Sequence, residues 1–422
     1  MTRPLFVLLS LSCAVALTSP AAAQDLRSAV AAAIAHSPAM EEADAGEAAA
    51  QAGLDRARAE RNPLLRVEGS AGTGRIDNGG FFGITADDVT PVAVQATGEL
   101  PLFTGGRTGA AIAQAQGGRE IARQRLEQAR LQVGVDAVSA YTEVLAARRL
   151  MDRYGALTRA LTEVERQAGL RYGSGEIPST DVAQARARRA EGEAGLAQAE
   201  GRLRSAEARY ERITGTPPGD LAPLPAPPST PRTLEEAMDL ARQSNPALLQ
   251  AAAAVRVAEG GQRAARAEGM PVIGAYAEAA HVRDQFFPDY AADSVAVGVR
   301  GRWTLWAGGR VAAQSRQASA ELKASRARER AARLAVEGMV IDAWQGYNTA
   351  RRMVEASDLR TSAAAEALRA TKLEAEVGAK PTLAVLDAER EAIEAEAAAI
   401  DAQAMRMVAA WRLNAVTGQA GP

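Results

Sequence analysis

The sequence LPLFTGGR at residues 100–107 returns in altered form as WTLWAGGR at residues 303–310. Each copy has an apolar segment, an aromatic residue and then Gly-Gly-Arg, and the two copies lie 203 residues apart. Each ends a segment with strand-like alternation and begins a long segment of helical composition. Glycines adopt backbone angles that other residues avoid, which suits an abrupt change from strand to helix. The stretch therefore predicts two related units, each turning from a strand into a very long helix.

Further matches occur in the same order on both sides of the chain's midpoint, which indicates an internal duplication. The matching segments are LRSAVAAAIAHSPAM from Leu26 and LEEAMDLARQSNPAL from Leu234, GEIPSTDVAQA from Gly175 and GAKPTLAVLDA from Gly378, and RITG and AVTG, which end at Gly215 and Gly418. Between the halves, the proline-rich segment 216–231 cannot be helical and predicts an extended linker. The predicted organisation is a signal peptide at 1–23, repeats at 24–215 and 233–418, a linker at 216–232 and a tail at 419–422.

Four segments alternate apolar and polar residues with period two, which is typical of β-strands. They are residues 64–74, 92–100, 272–281 and 294–305. In the last segment one predicted face consists of Val295, Val297, Val299 and Trp303. Each repeat thus has the predicted order helix, strand, strand, helix.

The loops between the paired strands, 75–91 and 282–293, each contain two adjacent phenylalanines. Nine of the chain's 17 aromatic residues lie within 81–103 and 276–306. This concentration predicts an aromatic belt at a membrane interface. The alternative is that the loop residues only pack the loops together; these are Phe81, Phe82, Phe286 and Phe287.

The segments after Gly-Gly-Arg predict helices of unusual length. No proline occurs between Pro101 and Pro178, or between Pro288 and Pro381. Residues 108–172 alone would form ~95 Å of helix, and a return helix should run to about Arg212. Their apolar positions are mostly Ala and Leu, which bury little area, so such helices need neighbours on two sides. The pattern predicts oligomerisation.

The first residues have the features of a secretory signal peptide. Arg3 precedes a 13-residue apolar stretch, and Ala21–Ala23 form a small-residue cleavage site, so the mature chain should begin near Gln24. Cys13 is the single cysteine, and a lipoprotein signal is the alternative, although Ser10 occupies the position where such signals usually have leucine. No other apolar run reaches the length of a transmembrane helix, so a membrane role would use strands.

The composition argues against catalysis, metal binding and nucleic-acid binding. The formal net charge is -2, which gives no electrostatic basis for binding nucleic acid. The two histidines, His36 and His281, lack metal-site spacing, and we expect both to be structural or solvent-facing. The pair Gly105–Gly106 superficially resembles a phosphate-binding turn, but a third glycine and a βαβ context are missing. We therefore expect no enzyme activity, no cofactor and no metal site.

The signal peptide, the duplicated plan, the two Gly-Gly-Arg motifs, GEIPSTDV, VLDA and the closing TG together resemble the TolC-like outer-membrane efflux family. The resemblance covers residues 24–418 and implies a mainly α fold with membrane β-strands. In that family three chains form a homotrimer. Four strands from each chain close one 12-stranded β-barrel in the outer membrane of a Gram-negative bacterium, and long helical hairpins continue it as an α-barrel through the periplasm. A four-stranded sheet from one chain also has two edges that lipid does not tolerate, which agrees with assembly.

The resemblance also implies a periplasmic gate at the hairpin tips. Its candidate residues are Thr180, Asp181, Lys380 and Asp387. Ala375 and Ala384 stand where the family has an aromatic and an acidic residue. The contacts that hold this entrance closed in the family are therefore incomplete in this chain. Three Asp387 carboxylates around one axis would favour cations, whereas Asp181 has the alternative role of complementing a helix dipole.

Two further sets of residues are candidates for contacts and for turns. The adaptor-contact candidates at the tips are Leu170, Gly173, Gly175 and Gly378, and the alternative is that the glycines only form turns. The strand–helix junction candidates are Gly105, Gly106, Arg107, Gly308, Gly309 and Arg310. Arg107 and Arg310 would either keep the junction in contact with water or lie at the membrane interface.

The implied function is an exit duct of a tripartite efflux pump or a type I secretion system. Its partners would be a periplasmic adaptor (membrane-fusion) protein, an inner-membrane pump or ABC exporter, and outer-membrane lipid. The alternative is that this chain is itself a periplasmic coiled-coil adaptor, which would require more short strands than the four predicted. Drugs, proteins and metal ions are all candidate cargo. Metal ions are the least favoured of the three, because the chain has only two histidines.

Overall fold

The structure, a computed structural model, describes residues 24–76, 87–285 and 289–419. The predicted signal peptide and the four loop phenylalanines lie outside the described residues, as does most of the predicted tail. Within the described residues the chain forms eight helices and six strands.

The first half contains four helices and four strands. They are α1 (Leu26–His36), α2 (Pro38–Ala59), β1 (Leu64–Ala71), β2 (Gly74–Ile76), β3 (Asp87–Val89), β4 (Val92–Phe103), α3 (Arg107–Gly173) and α4 (Ser179–Thr214). The second half contains α5 (Leu234–Ser244), α6 (Pro246–Ala267), β5 (Val272–Arg283), β6 (Ala291–Arg302), α7 (Arg310–Glu376) and α8 (Thr382–Val416). The helices of the two halves have the same order, and α3 and α7 each have 67 residues.

Local capping chemistry explains where the short helices begin. The Asp25 side chain accepts a hydrogen bond from Ser28 N at 2.8 Å and starts α1, and Thr233 accepts from Glu236 N at 3.1 Å and starts α5. Pro38 and Pro246 occupy the first position of α2 and α6, where no backbone donor is needed. The prolines that break the helical pattern in the sequence therefore begin new helices.

The main sheet has the order β1-β4-β5-β6, with every neighbouring pair antiparallel, while β2 and β3 form a separate two-stranded extension. The register gives this sheet two chemically different faces. The apolar face includes Leu65, Val67, Val94, Ala96, Ala275, Ala277, Val295, Val297 and Val299. The opposite face includes Arg66, Glu68, Gln95, Thr97, Glu99, Glu278, Arg300 and Arg302.

Two strand predictions need correction. The first predicted strand, 64–74, is split: β1 ends at Ala71, one further bond joins Gly72 N to Pro91 O, and from Gly74 the chain pairs with β3 instead of β4. The fourth, 294–305, begins earlier and ends at Arg302, so Trp303 is not part of the strand face. Its indole Nε1 instead donates to Gly269 O at 3.1 Å, at the turn that leads into β5.

The helices pair as two hairpins, α3 with α4 and α7 with α8. The largest apolar cluster lies where α1, α3, α4 and α8 meet, and it contains Val138, Tyr141, Tyr210, Met407 and Trp411. Among the described residues, no helix is both long and apolar enough to cross a membrane.

The proline-rich linker packs against this cluster instead of projecting into solvent. The Tyr141 hydroxyl lies 2.6 Å from Ala222 O and 3.0 Å from Gln24 O. Burial of the phenol raises the pKa of Tyr141 to about 12. Residues 216–231 contain no helix, and one bridge pairs Leu221 with Gln24. The linker thus ties the start of the described chain to the helical core.

Candidate functional site

At both strand–helix junctions the two glycines have left-handed backbone angles. Their φ values are 61° and 92° at Gly105 and Gly106, and 58° and 81° at Gly308 and Gly309. The second glycine of each pair caps the N-terminus of the long helix that follows. Because L-residues with a Cβ avoid this region, glycine permits the abrupt turn.

The two junctions have different surroundings in one chain. A Cβ at Gly105 would overlap Met270 Cβ and lie 3.3 Å from Pro271 O, whereas a Cβ at Gly308 would meet open space. The backbone of the first junction therefore packs closely against the α6–β5 connection of the other half. The second junction contacts the same connection through side chains, including Arg310 Nη1 at 4.0 Å from Glu268 Oε2. Arg107 and Arg310, the first residues of α3 and α7, are both exposed.

At the other end of the long helices, each hairpin reverses through a glycine turn. Gly175 and Gly378 have φ values of 80° and 78°, and their amides donate to Tyr172 O and Ala375 O. Gly173 is the last residue of α3 and has no positive φ. The return helices α4 and α8 begin one residue after Pro178 and Pro381, so these prolines are caps and not first helical residues.

Three of the predicted adaptor-contact residues, Leu170, Gly173 and Gly175, lie at the α3–α4 tip, and the fourth, Gly378, lies in the α7–α8 turn. Leu170 is exposed one turn before the end of α3, and the neighbouring Tyr172 ring is exposed as well. Arg171 Nε lies 3.2 Å from Glu176 Oε2, and the Ser174 hydroxyl donates to Glu176 Oε1 at 3.0 Å. The turn thus has a fixed polar framework beside an exposed apolar patch.

The predicted gate residues are divided between separate contacts. Thr180 Oγ1 lies 3.5 Å from Asp181 Oδ1, and Asp181 belongs to the first turn of α4. Lys380 Nζ lies 2.7 Å from Glu374 Oε2 of its own hairpin. Among the described residues, no hydrogen bond or ion pair within the chain joins Lys380 to Thr180 or Asp181.

A cleft of about 210 Å³ separates the two hairpins at the tip. Asp181 and Arg171 line its first-hairpin side, and Pro381, Leu383 and Leu386 line its second-hairpin side. The cleft therefore brings one predicted gate carboxylate next to an apolar wall of the other hairpin.

Asp387 is held in an ion pair that the sequence did not predict. Its Oδ1 accepts a hydrogen bond from Arg188 Nη2 at 2.8 Å, and Arg188 also donates to Glu191 at 2.8 Å. The hydrogen bond to Glu191, together with the charge of Asp387, raises the pKa of Arg188. Since Arg188 and Asp387 are 199 residues apart, no local pattern connects them. The charge of Asp387 at the tip is thus balanced within its own chain.

Two more ion pairs join the hairpins further from the tip. Arg202 Nη2 lies 2.7 Å from Asp401 Oδ1, and Arg153 Nε lies 3.0 Å from Glu396 Oε2. In all three of these pairs, the arginine belongs to the first hairpin and the carboxylate to the second.

The polar face of the sheet contributes to an open cavity of about 1350 Å³ near the strand–helix junctions. On this face Arg300 Nη2 lies 2.8 Å from Glu278 Oε1, and its guanidinium carbon lies 4.4 Å from the centre of the Tyr276 ring. The lining of the cavity combines charged side chains, such as Glu99 and Arg302, with apolar ones, such as Leu100 and Ile273. No group of three or more potential ligands that could hold a metal ion occurs in the described part of the chain.

Comparisons with known proteins agree with this architecture. The family model described as outer membrane efflux protein matches twice, at residues 29–216 and 237–419. The chain is 30% identical over 319 residues to the outer membrane efflux protein BepC of Brucella suis biovar 1 (strain 1330), covering 75% of this chain and 70% of that protein.

Solved structures are similar in fold. A membrane protein from Pseudomonas aeruginosa superposes with a TM-score of 0.80 at 20% identity, covering 94% of this chain and 90% of that one. The outer membrane protein VceC of Vibrio cholerae superposes with a TM-score of 0.77 at 20% identity, covering 93% of this chain and 96% of that one.

Proposed function

Because this chain belongs to the outer membrane efflux protein family, we propose that three copies of it form one continuous exit duct across the outer membrane and the periplasm. Members of this family are channels and not enzymes. Family membership also decides against the alternative of a periplasmic adaptor. The two-faced sheet with unpaired edges is the observation on which the trimer proposal mainly depends.

The sheet supports a shared membrane barrel. β1 and β6 are its edge strands, and each has one row of backbone groups without a strand partner among the residues that the structure describes. In a bilayer such groups require partners, so an isolated four-stranded sheet is not stable there. Pairing β6 of one copy with β1 of the next would satisfy both edges, and three copies would close 12 strands. The apolar face would then contact lipid and the charged face would line the pore.

The long helices support the same assembly, because equivalent positions differ in burial. Val138 of α3 is 0% exposed, whereas Ile341 of α7, 203 residues later, is 41% exposed. Leu150 of α3 is 5% exposed, whereas its counterpart Met353 of α7 is 46% exposed. We propose that the first hairpin of a second copy covers this apolar side of α7. Six hairpins from three copies would form the periplasmic tube.

In this arrangement transport through the duct is passive. The two repeats at 24–215 and 233–418 contribute equivalent parts of the wall, and the linker at 216–232 connects them. Solutes would enter at the hairpin tips from an inner-membrane pump or ABC exporter. A periplasmic adaptor would contact the exposed tip around Leu170, Gly173, Gly175 and Gly378. Thr180, Asp181, Lys380 and Asp387 would control the entrance.

The assembly can be tested with the full chain expressed in a Gram-negative host. We expect the mature protein to fractionate with outer membranes, to migrate as a trimer in mild detergent and to form ion-conducting pores in planar bilayers. Ile341→Glu should lower the trimer fraction at least tenfold, since a charge would have to be buried between copies. Ile341→Leu, which keeps the apolar contact, is the matched control. A water-soluble monomer that is stable without detergent would refute the proposal.

A further inference from the structure

The two hairpins of the sheet have the same register. Leu64 of β1 pairs with Glu99 of β4, and Val272 of β5 pairs with Arg302 of β6. The first members of these two pairs are 208 residues apart and the second members are 203 apart, the same offsets that relate the repeated sequence motifs. These two offsets therefore give, for each residue of β1 or β4, its equivalent in the second hairpin.

The contact between the two halves, where β4 pairs with β5, is a template for the contact between copies. Within the chain Glu99 of β4 lies opposite Tyr276 of β5. In a closed barrel β6 would take the place of β4, and β1 of the next copy would take the place of β5. Applying the two offsets to this pair places Arg302 of one copy opposite Glu68 of the next.

We infer that β6 and β1 of neighbouring copies pair in this register, and that Arg302 and Glu68 form an ion pair across each junction. The inference rests on the trimeric duct proposed above. Both residues are exposed and lie on the charged face of the sheet. Arg302 forms no ion pair or side-chain hydrogen bond with the described part of its own chain, whereas Arg300 on the same face is bonded to Glu278. Arg302 is thus the cation of this edge that a second copy can neutralise.

The alternation of faces and the charges support this register independently of the duplication. A slip of one residue would join the apolar face of β1 to the charged face of β6, because successive side chains point to opposite faces. A slip of two residues in one direction places Arg302 opposite Arg66, and like charges directly opposite are destabilising. A slip of two residues in the other direction places Arg302 opposite Ser70 and leaves Glu68 without a cation directly opposite.

The same register accounts for the early end of β6. β4 continues to Phe103 because β5 pairs with it there, whereas β6 ends at Arg302. Arg302 pairs with Val272, the first residue of β5, so no described strand of the chain lies beside the residues that follow. In the inferred register Val67 of the next copy lies opposite Trp303 on the apolar face. These two side chains are 66% and 60% exposed in the single chain, and we expect β6 to lengthen beyond Arg302 on assembly.

Disulfide formation measures the register. Arg302→Cys is combined in turn with Glu68→Cys, Arg66→Cys and Ser70→Cys in the full chain, and outer membranes are oxidised with copper phenanthroline. Directly opposite Cβ atoms are about 4.5–5.5 Å apart and diagonal ones about 7–8 Å, and a disulfide requires about 3.5–4.5 Å. Apart from Cys13, which lies in the predicted signal peptide, the chain has no cysteine to compete.

We expect the Arg302→Cys/Glu68→Cys variant to form linked dimers and trimers about tenfold faster than the two matched control pairs. Non-reducing gels measure the rates. Faster linkage from Arg66→Cys or Ser70→Cys would overturn the register and leave the duct proposal standing. A protein that migrates as a trimer and conducts ions, but forms no linked species from any pair, would also overturn the inference.

Charge reversal tests the ion pair without relying on thiol geometry. Glu68→Arg places like charges opposite each other at every junction and should lower the trimer fraction in mild detergent about fivefold. Adding Arg302→Glu should restore that fraction to within about twofold of wild type. Adding Arg300→Glu instead is the control and should not restore it, because Arg300 lies opposite Ser70 in this register.

The outcomes of the charge reversal separate this inference from the proposed function. Failure of Arg302→Glu to rescue Glu68→Arg, or equal rescue by Arg300→Glu, would overturn the ion pair. Wild-type protein that forms neither trimers nor pores would overturn the exit-duct proposal and the inference with it.

Discussion

The helices α3 and α7 have the same length and the same place in their halves, but their surroundings differ. α3 has 18 buried residues and α7 has 10, although each helix has 67 residues. Six large apolar side chains of α7 are exposed, namely Leu334, Met339, Ile341, Met353, Leu359 and Leu373. On α3 only Leu170 and Tyr172, both at the tip, are comparably exposed.

This difference follows from the position of each helix in the chain. α3 lies between elements of both halves, with α2 on one side and α6 and α8 on others. α7 contacts α5, α6 and α8. The surface with which α3 contacts α6 and α8 of the second half has an equivalent on α7, and that equivalent surface is uncovered. Two helices of equal length thus have one covered and one partly uncovered environment, and the uncovered side of α7 is the surface on which we propose that another copy binds.

The largest expected effect distinguishes these two environments. Leu150→Ala should lower the free energy of unfolding by about 3 kcal/mol at any protein concentration, because the cavity forms inside each protomer. Met353→Ala should instead weaken assembly, so its effect on apparent stability should fall as protein concentration rises. Denaturant titrations in detergent at several protein concentrations measure both. Equal, concentration-independent effects would mean that no second copy covers α7.

A smaller effect is expected at the two glycine junctions. Gly308→Ala should cost about 1 kcal/mol, since only the left-handed backbone is strained. Gly105→Ala should cost about 2 kcal/mol or more, because the added Cβ also overlaps Met270. Thermal unfolding of the two variants in detergent compares them. If the trimer packs Gly308 against a neighbouring copy, the difference should shrink on assembly and reappear in the dissociated chain.

The smallest effect concerns charge at the tips. Asp387→Asn should shift the reversal potential of bilayer-reconstituted pores toward anion permeability, because the partner Arg188 remains charged. Arg188→Gln should shift the reversal potential in the opposite direction and is the matched control. The pair is partly exposed, so each substitution should change stability by only about 0.2–1 kcal/mol. An unchanged reversal potential in both variants would remove Asp387 from the pore entrance.

Much of the fold could be predicted because the relevant signals are local. The first long helix was expected at 108–172 and occurs at Arg107–Gly173, since glycine pairs and prolines mark both of its ends. All four main strands were expected from their alternation. The errors lie where pairing decides the boundary: β1 ends early because β2 pairs with β3, and Trp303 leaves the strand to bond with Gly269.

The candidate site was predictable only in part. Gly175 and Gly378 were expected at the hairpin turns, and both have the left-handed angles that such turns require. Arg188, Arg202 and Arg153 were not identified, because each pairs with a residue in the other half of the chain. Nothing in the sequence around an arginine on a charged helix specifies which distant carboxylate it contacts.

The sequence by itself determined the elements of this protein: the strand segments, the long helices and the glycine turns between them. These depend on backbone conformation and on periodicity within a few residues. Only the tertiary structure decided which side of each helix is covered, which arginines join the two hairpins, and that α7 lacks the partner that α3 has. These properties depend on contacts between residues that are far apart in the chain, and local propensity does not encode them.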